Sequence, residues 1–225
     1  MNLEWYIGYH MRGDASVEER FAADFVRESG LGAWDSFRFL YYYALTYSLP
    51  SAIRLLQNPA VPRKILVFRT DRRYVGICGR FEKCMKALNK DMQASLYACR
   101  TTAEQYRLVT KWYYFGRYAA YLFLECFYKL RPCLVDDLCM EWLPKENYAK
   151  GAAIVSGCRD QRTLDAFIDL AKRRTGDNVF SIETSLCAVE KIRKGTRWDG
   201  FYTERFLREL QDAGMSKYMG LVSCG

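Results

Sequence analysis

Residues 111–130 read KWYYFGRYAAYLFLECFYKL, a run apolar enough to be core that still carries Arg117 and Glu125. Its apolar positions recur at helical spacing, and it predicts a long buried helix. If that helix is continuous, Tyr113, Arg117, Tyr121 and Glu125 fall at four-residue steps and share one face. Arg117 and Glu125 are eight residues apart, too far to pair through one turn. Each needs a partner elsewhere, because an unpaired buried charge costs several kcal/mol. The pair then belongs to an ion-pair network between helices, or to the polar wall of a cleft with tyrosines for stacking. Gly116, just before Arg117, allows close approach of a ligand or another backbone, or a bend or break in the helix.

The rest of the chain follows the same helical grammar. Ser16 and Glu19 form a candidate capping box for a helix reaching about Ser29, and Thr101 and Glu104 form another. Residues 34–48 are apolar and rich in Tyr and Phe, and Pro50 opens a short helix to about Gln57. Helical patterns recur over 80–98, 160–174 and 201–213. In the second of these, Leu164, Phe167, Ile168 and Ala171 face inward. Pro144 suits a helix start, and Ser181 is a candidate cap placing Glu183 in the first turn of a helix that ends at Gly195. Residues 64–78 are ambiguous: KILVF and YVGIC pair as a small β-hairpin around TDRR, or the segment is irregular chain presenting arginines. The expectation is a mainly α protein, a single compact helical domain over 1–225, with at most that hairpin.

Composition excludes several classes. No stretch reaches the ~20 apolar residues a bilayer span requires, and the N-terminus MNLEWYIGYHMRGD lacks the pattern of a signal peptide. The expected location is the cytoplasm. Nine cysteines without a C-x-x-C pair, and one histidine, His10, read as reduced thiols rather than a zinc site. A single histidine also argues against a Ser-His-Asp or Cys-His centre. No Walker A motif, G-x-G-x-x-G string or Rossmann alternation is present.

The net charge of +8 is not spread evenly. Residues 63–111 hold 12 basic and 4 acidic side chains, and the remainder holds 22 of each sign, so the whole excess sits in this segment. A local field of this kind favours a polyanion such as DNA, RNA or pyrophosphate over a merely solvated basic face. Arg69, Arg72, Arg73 and Arg80, with Gly76 and Gly79 among them, suit phosphate binding. The tyrosines offer stacking surfaces, although YYYALTY (41–47) also fits plain core. Glu183 reads either as a helix-dipole feature or as a base that orients an amine; Cys187 and Lys191 follow on its face, and Arg197, Trp198 and Tyr202 lie beyond the helix end.

The order of RTDRRYVGICGR, WYYFGRYAAYLFLE and ETSLCAVEKIRKGTRWDGFYTER, with FGRY and ETSLC the most specific strings, resembles the phage enzymes of thymine hypermodification. These are the α-glutamyl/putrescinyl thymine pyrophosphorylases, or amino acid:DNA transferases, and the resemblance covers most of the chain. It implies an α-helical, host-cytoplasmic enzyme distantly akin to DNA glycosylases. Its substrate is DNA bearing pyrophosphorylated 5-hydroxymethyluracil, and its co-substrate an amino acid or a polyamine. On this basis Glu183, Glu125 and Arg117 are the catalytic candidates. Arg69, Arg72, Arg73, Arg80, Lys83 and Arg197 would hold pyrophosphate and DNA, with Mg²⁺ a further source of positive charge. Tyr113, Tyr114, Tyr118 and Trp198 would hold the extruded base. A polyamine would favour Asp136, Asp137 and Glu141; an amino acid would use an arginine for its carboxylate. One departure is that no L-P-G-[IV]-G hairpin motif occurs, only SGLGAW (29–34). The alternatives are a non-catalytic phage DNA-binding protein and a base-excising glycosylase.

Overall fold

The computed structural model describes residues 1–77, 79–132, 135–140, 143 and 145–222. Among these the chain forms α1 (Leu3–Arg12), α2 (Val17–Glu28), α3 (Ala33–Thr46), α4 (Leu49–Gln57), α5 (Arg80–Ala87) and α6 (Lys90–Ala98). It continues with α7 (Thr102–Val109), α8 (Arg117–Leu130), α9 (Asn147–Ser156), α10 (Gln161–Thr175), α11 (Val179–Arg193) and α12 (Phe201–Asp212). The only β feature among the described residues is an isolated bridge between Thr101 and Val135. The protein is mainly α, as its periodicities predict. Two compact units form: the first comprises residues 1–18 and the chain from Leu138 onward, the second comprises residues 19–137.

In the first unit α9 and α11 lie almost backbone to backbone. Gly151 makes this possible, since a Cβ there would sit 2.1 Å from the Leu186 carbonyl oxygen. α10 turns Leu164, Phe167, Ile168 and Ala171 inward as expected, with Phe167 against Tyr6 of α1. α11 begins three residues earlier than a Ser181 cap would allow. Asn178 is its N-cap, accepting from the backbone N–H groups of Phe180 and Ser181. Glu183 consequently lies in the second turn, and the first-turn placement is corrected. The N-cap position of α12 is Gly200, which has no side chain to cap it; Asp14 does so instead, accepting from Thr203 N and Thr203 Oγ1, each at 2.9 Å. Pro144 lies outside the described residues.

In the second unit α3 is buried nearly all round, so its apolar face has no solvent side. α4 and α8 pack on it. Phe37 of α3, Trp112 and Phe123 of α8 meet edge to face at 5.2–5.8 Å, a favoured aromatic geometry. Thr101 and Glu104 form the anticipated capping box of α7. The helical pattern over 80–98 is two helices, because Asn89 turns its side chain to the Met92 N–H and opens α6 afresh.

Two expectations change in this unit. The hairpin does not form: Arg63–Ile65 and Thr70–Tyr74 are 3₁₀ turns, and the chain between them bonds to the α3–α4 corner. Val67 N donates to Ser51 Oγ at 2.8 Å and Arg69 N to Thr46 O at 2.9 Å, so KILVF has its partners without YVGIC. Cys78 of that pairing lies outside the described residues. The helix over 111–130 is also not continuous. Residues 110–116 make turns, Gly116 is the N-cap of α8, and Arg117 is its first residue. Tyr113 is therefore off the face shared by Arg117, Tyr121 and Glu125.

Candidate nucleic-acid interface

Three segments of the second unit converge: the end of α3 at Tyr47, residues 69–80, and residues 113–118. Arg69 joins the first two. Its Nε donates to the Tyr47 carbonyl, and its guanidinium lies over the Tyr47 ring, 4.7 Å from the centroid. Arg72 joins the last two. It is 7% exposed and donates from Nη1 to the Tyr114 carbonyl at 2.9 Å. Arg80 lies over the Tyr114 ring at 5.3 Å and donates to Tyr74 O at 3.2 Å. Tyr118 meets Tyr47 edge-on at 5.6 Å, and Tyr113 meets Tyr114 edge-on at 4.6 Å. Tyr74, Tyr113, Tyr114 and Tyr118 are 65, 39, 39 and 40% exposed, an unusual amount of aromatic surface to leave in water beside arginines.

The backbone marks the same place. Among the described residues, three non-glycine positions have positive φ: Tyr47 (51°), Thr70 (51°) and Tyr114 (57°). The left-handed region costs an ordinary residue about 1–2 kcal/mol. Such strain concentrates where a site over-determines the chain. All three positions belong to this one surface.

The sequence-based candidates separate into distinct roles. Arg73 and Lys83 are exposed, and Arg69 and Arg80 are half-buried on tyrosine rings. Arg73 also donates from Nε to Thr70 O at 2.9 Å. Arg72 holds the Tyr114 loop from inside and is a positioning residue. Gly76 packs under Phe68, where a Cβ would come within 2.9 Å of the ring. Arg117 stacks on Tyr121 at 4.5 Å, with Tyr106 edge-on to the same ring. Glu125 is 1% exposed inside α8. Tyr47 and Tyr74 were not among the candidates. Tyr74, between Arg73 and Gly76, carried the signal of an aromatic inside the basic run.

Glu183, Arg197 and Trp198 belong to the first unit. Glu183 is 8% exposed and accepts from Cys187 Sγ at 3.6 Å. Arg197 covers the Phe201 ring at 4.1 Å, and Trp198 Nε1 donates to Glu204 at 3.2 Å. The same unit places His10 between Ser185 Oγ (Nδ1, 2.9 Å) and Asp177 Oδ2 (Nε2, 3.3 Å). This superficially resembles a hydrolase triad. Ser185 is 1% exposed and also bonded to Tyr6 and Ile182, so the arrangement is an interior polar tie. Asp136 and Asp137 hold the start of α7: both accept from Thr102 Oγ1, and Asp137 also accepts from Ala103 N. That backbone bond holds the Asp137 carboxyl below its usual range. Glu141 lies outside the described residues.

Beneath the surface, Cys84 donates to Tyr113 O at 3.7 Å, and burial pushes its thiol up to about 11. It is a packed structural thiol. Among the described residues no group of three His, Cys, Asp or Glu side chains forms a metal-ligand set. No protein-family model matches this sequence, and no curated protein is significantly similar to it. The fold and surface define a class in physical terms: an all-α protein presenting arginine-backed tyrosines.

Proposed function

We propose that the protein binds DNA on the arginine–tyrosine surface of the second unit, with a base swung out of the stack. We propose further that it exchanges the pyrophosphate of a 5-(pyrophosphoryloxymethyl)uracil for an amine. The observation that carries the first statement is the coincidence of all three strained non-glycine positions with the exposed tyrosines and their arginines. Exposed rings stack on extruded bases whatever their identity, and guanidiniums pair with phosphate. The second statement rests on the resemblance of FGRY and ETSLC to the thymine-hypermodifying enzymes.

In this reaction the methylene C–O bond breaks and the pyrophosphate departs with the electron pair. The amine nitrogen forms the C–N bond and loses a proton. Arginines neutralise the leaving group as its charge develops. A carboxylate accepts the proton, and Glu125 is the candidate within the second unit. No step is assigned to Mg²⁺.

The deciding experiment incubates DNA containing pyrophosphorylated hydroxymethyluracil with the protein and a mixture of amino acids and polyamines, followed by mass spectrometry. The expected product is a nucleoside carrying an added amine, with free pyrophosphate. Abasic sites would replace this reading by a glycosylase. Unchanged DNA with a salt-sensitive mobility shift would leave only the binding function. Arg117→Ala and Glu125→Gln are expected to abolish transfer in folded protein; full turnover in both sinks the catalytic assignment.

A further inference from the structure

The first unit contains a cleft of about 430 Å³ between α9, the start of α10 and α11. Its floor is aliphatic, from Ala153, Ile154 and neighbouring side chains. Its rim carries Lys150, Arg159, Arg193 and Glu190. Glu190 is already engaged, 2.8 Å from Lys194 Nζ. That bond first, and then the fields of Lys194, Lys150 and Arg193, hold its carboxyl below the usual range. Glu190 is thus ionised and shared, while none of Lys150, Arg159 and Arg193 has a carboxylate within 4 Å among the described residues. Three cations around a concave space, with one committed anion, leave a surplus of positive charge there.

We propose that this cleft binds a small phosphomonoester. Two guanidiniums and an ammonium suit a phosphoryl dianion, which accepts several charge-assisted hydrogen bonds at once. The volume falls in the range of small-ligand sites, about 300–1,000 Å³. The aliphatic floor takes a short carbon body. The free Glu190 oxygen accepts a hydroxyl from that body, which separates an organic phosphate from inorganic phosphate. The site is independent of the DNA-binding reading, because its residues all belong to the first unit.

The test is isothermal titration calorimetry of the whole chain with glycerol 3-phosphate, inorganic phosphate and glycerol, at constant ionic strength in chloride. Glycerol 3-phosphate is expected to bind with 1:1 stoichiometry, inorganic phosphate at least about tenfold more weakly, and glycerol not at all. Arg159→Ala and Arg193→Ala alter exposed side chains, so folding is retained and checked by circular dichroism. Each is expected to weaken glycerol 3-phosphate at least about tenfold. Arg73→Ala/Arg80→Ala in the second unit is expected to leave it unchanged. No heat with glycerol 3-phosphate, or undiminished binding in Arg159→Ala/Arg193→Ala, overturns the proposal. Loss on Arg73→Ala/Arg80→Ala alone does so too, by placing the phosphate on the other unit.

Discussion

Tyr114 carries two separable loads. Its ring supports Arg80, and its backbone sits at φ 57°. Alanine removes the ring and keeps the strain, whereas glycine removes both. Tyr114→Gly is therefore expected to be more stable than Tyr114→Ala by about 1 kcal/mol in urea unfolding, an inversion of the usual order for these residues. Both variants lose the stacking surface, and single-stranded DNA affinity should fall by roughly 5- to 150-fold in each, the value of one base–aromatic stack. Equal stabilities would remove the strain from the reading of this surface. Asp14 offers a second residue-level test. Its carboxylate is buried and is the cap that α12 otherwise lacks. Asp14→Ala should cost about 1–3 kcal/mol, measured as a lowered urea midpoint.

Among the elements, α9 and α11 show how tightly the first unit is specified. A methyl group at Gly151 would collide with the Leu186 carbonyl, which belongs to backbone and cannot swing away. Gly151→Ala should cost about 3 kcal/mol or more, at or beyond the upper end of overpacking. Gly8 inside α1 meets only the Arg12 guanidinium at 3.5 Å, and Gly8→Ala should stabilise by about 0.5–1 kcal/mol. Thermal unfolding of the two variants distinguishes a glycine required by packing from one that merely loosens a helix. Element identity was legible wherever periodicity was strong, and the four inward residues of α10 were readable in advance. Boundaries were less so. Gly116 offered both a bend and a break, and the choice depended on how Trp112 and Phe115 pack against Phe123, a contact across many residues. Similarly, KILVF matches a strand pattern, but its hydrogen-bond partners on α4 and α3 are invisible locally.

At the scale of the molecule, charge and burial make two statements. The entire positive excess of residues 63–111 falls within the second unit. If Arg69, Arg73, Arg80 and Lys83 contact phosphates, the logarithm of affinity for single-stranded DNA should fall against log salt with a slope near about −3. Each alanine replacement should make the slope shallower by about 0.7. A slope unaffected by these changes would move the interface elsewhere. This charge segregation was plain in the sequence, and so were Arg69, Arg73 and Arg80. That Arg72 turns inward was not, because its partner is a carbonyl 42 residues away. Burial acts on the alkaline side. Cys84 is raised from 9.0 to about 11, and Tyr6, Tyr9 and Tyr41 are raised by burial as well. The folded state favours their protonated forms, so stability is intact below the unfolded values and declines as pH rises beyond about 9. Denaturant midpoints from pH 8 to 11 should fall, and Cys84→Ala should flatten the first part of that decline.

The chain has one imidazole, and both its nitrogens are engaged inside the first unit. Proton NMR of the aromatic region therefore contains a single histidine Cε1–H line, assigned without labelling. Its position reports whether α1 is docked beside Ser185 and Asp177. During denaturation that line follows the first unit alone, and in a variant with Trp5, Trp142 and Trp198 replaced by Phe the remaining fluorescence, from Trp34 and Trp112, follows the second. One sample of that variant shows whether the two bodies melt together or in succession.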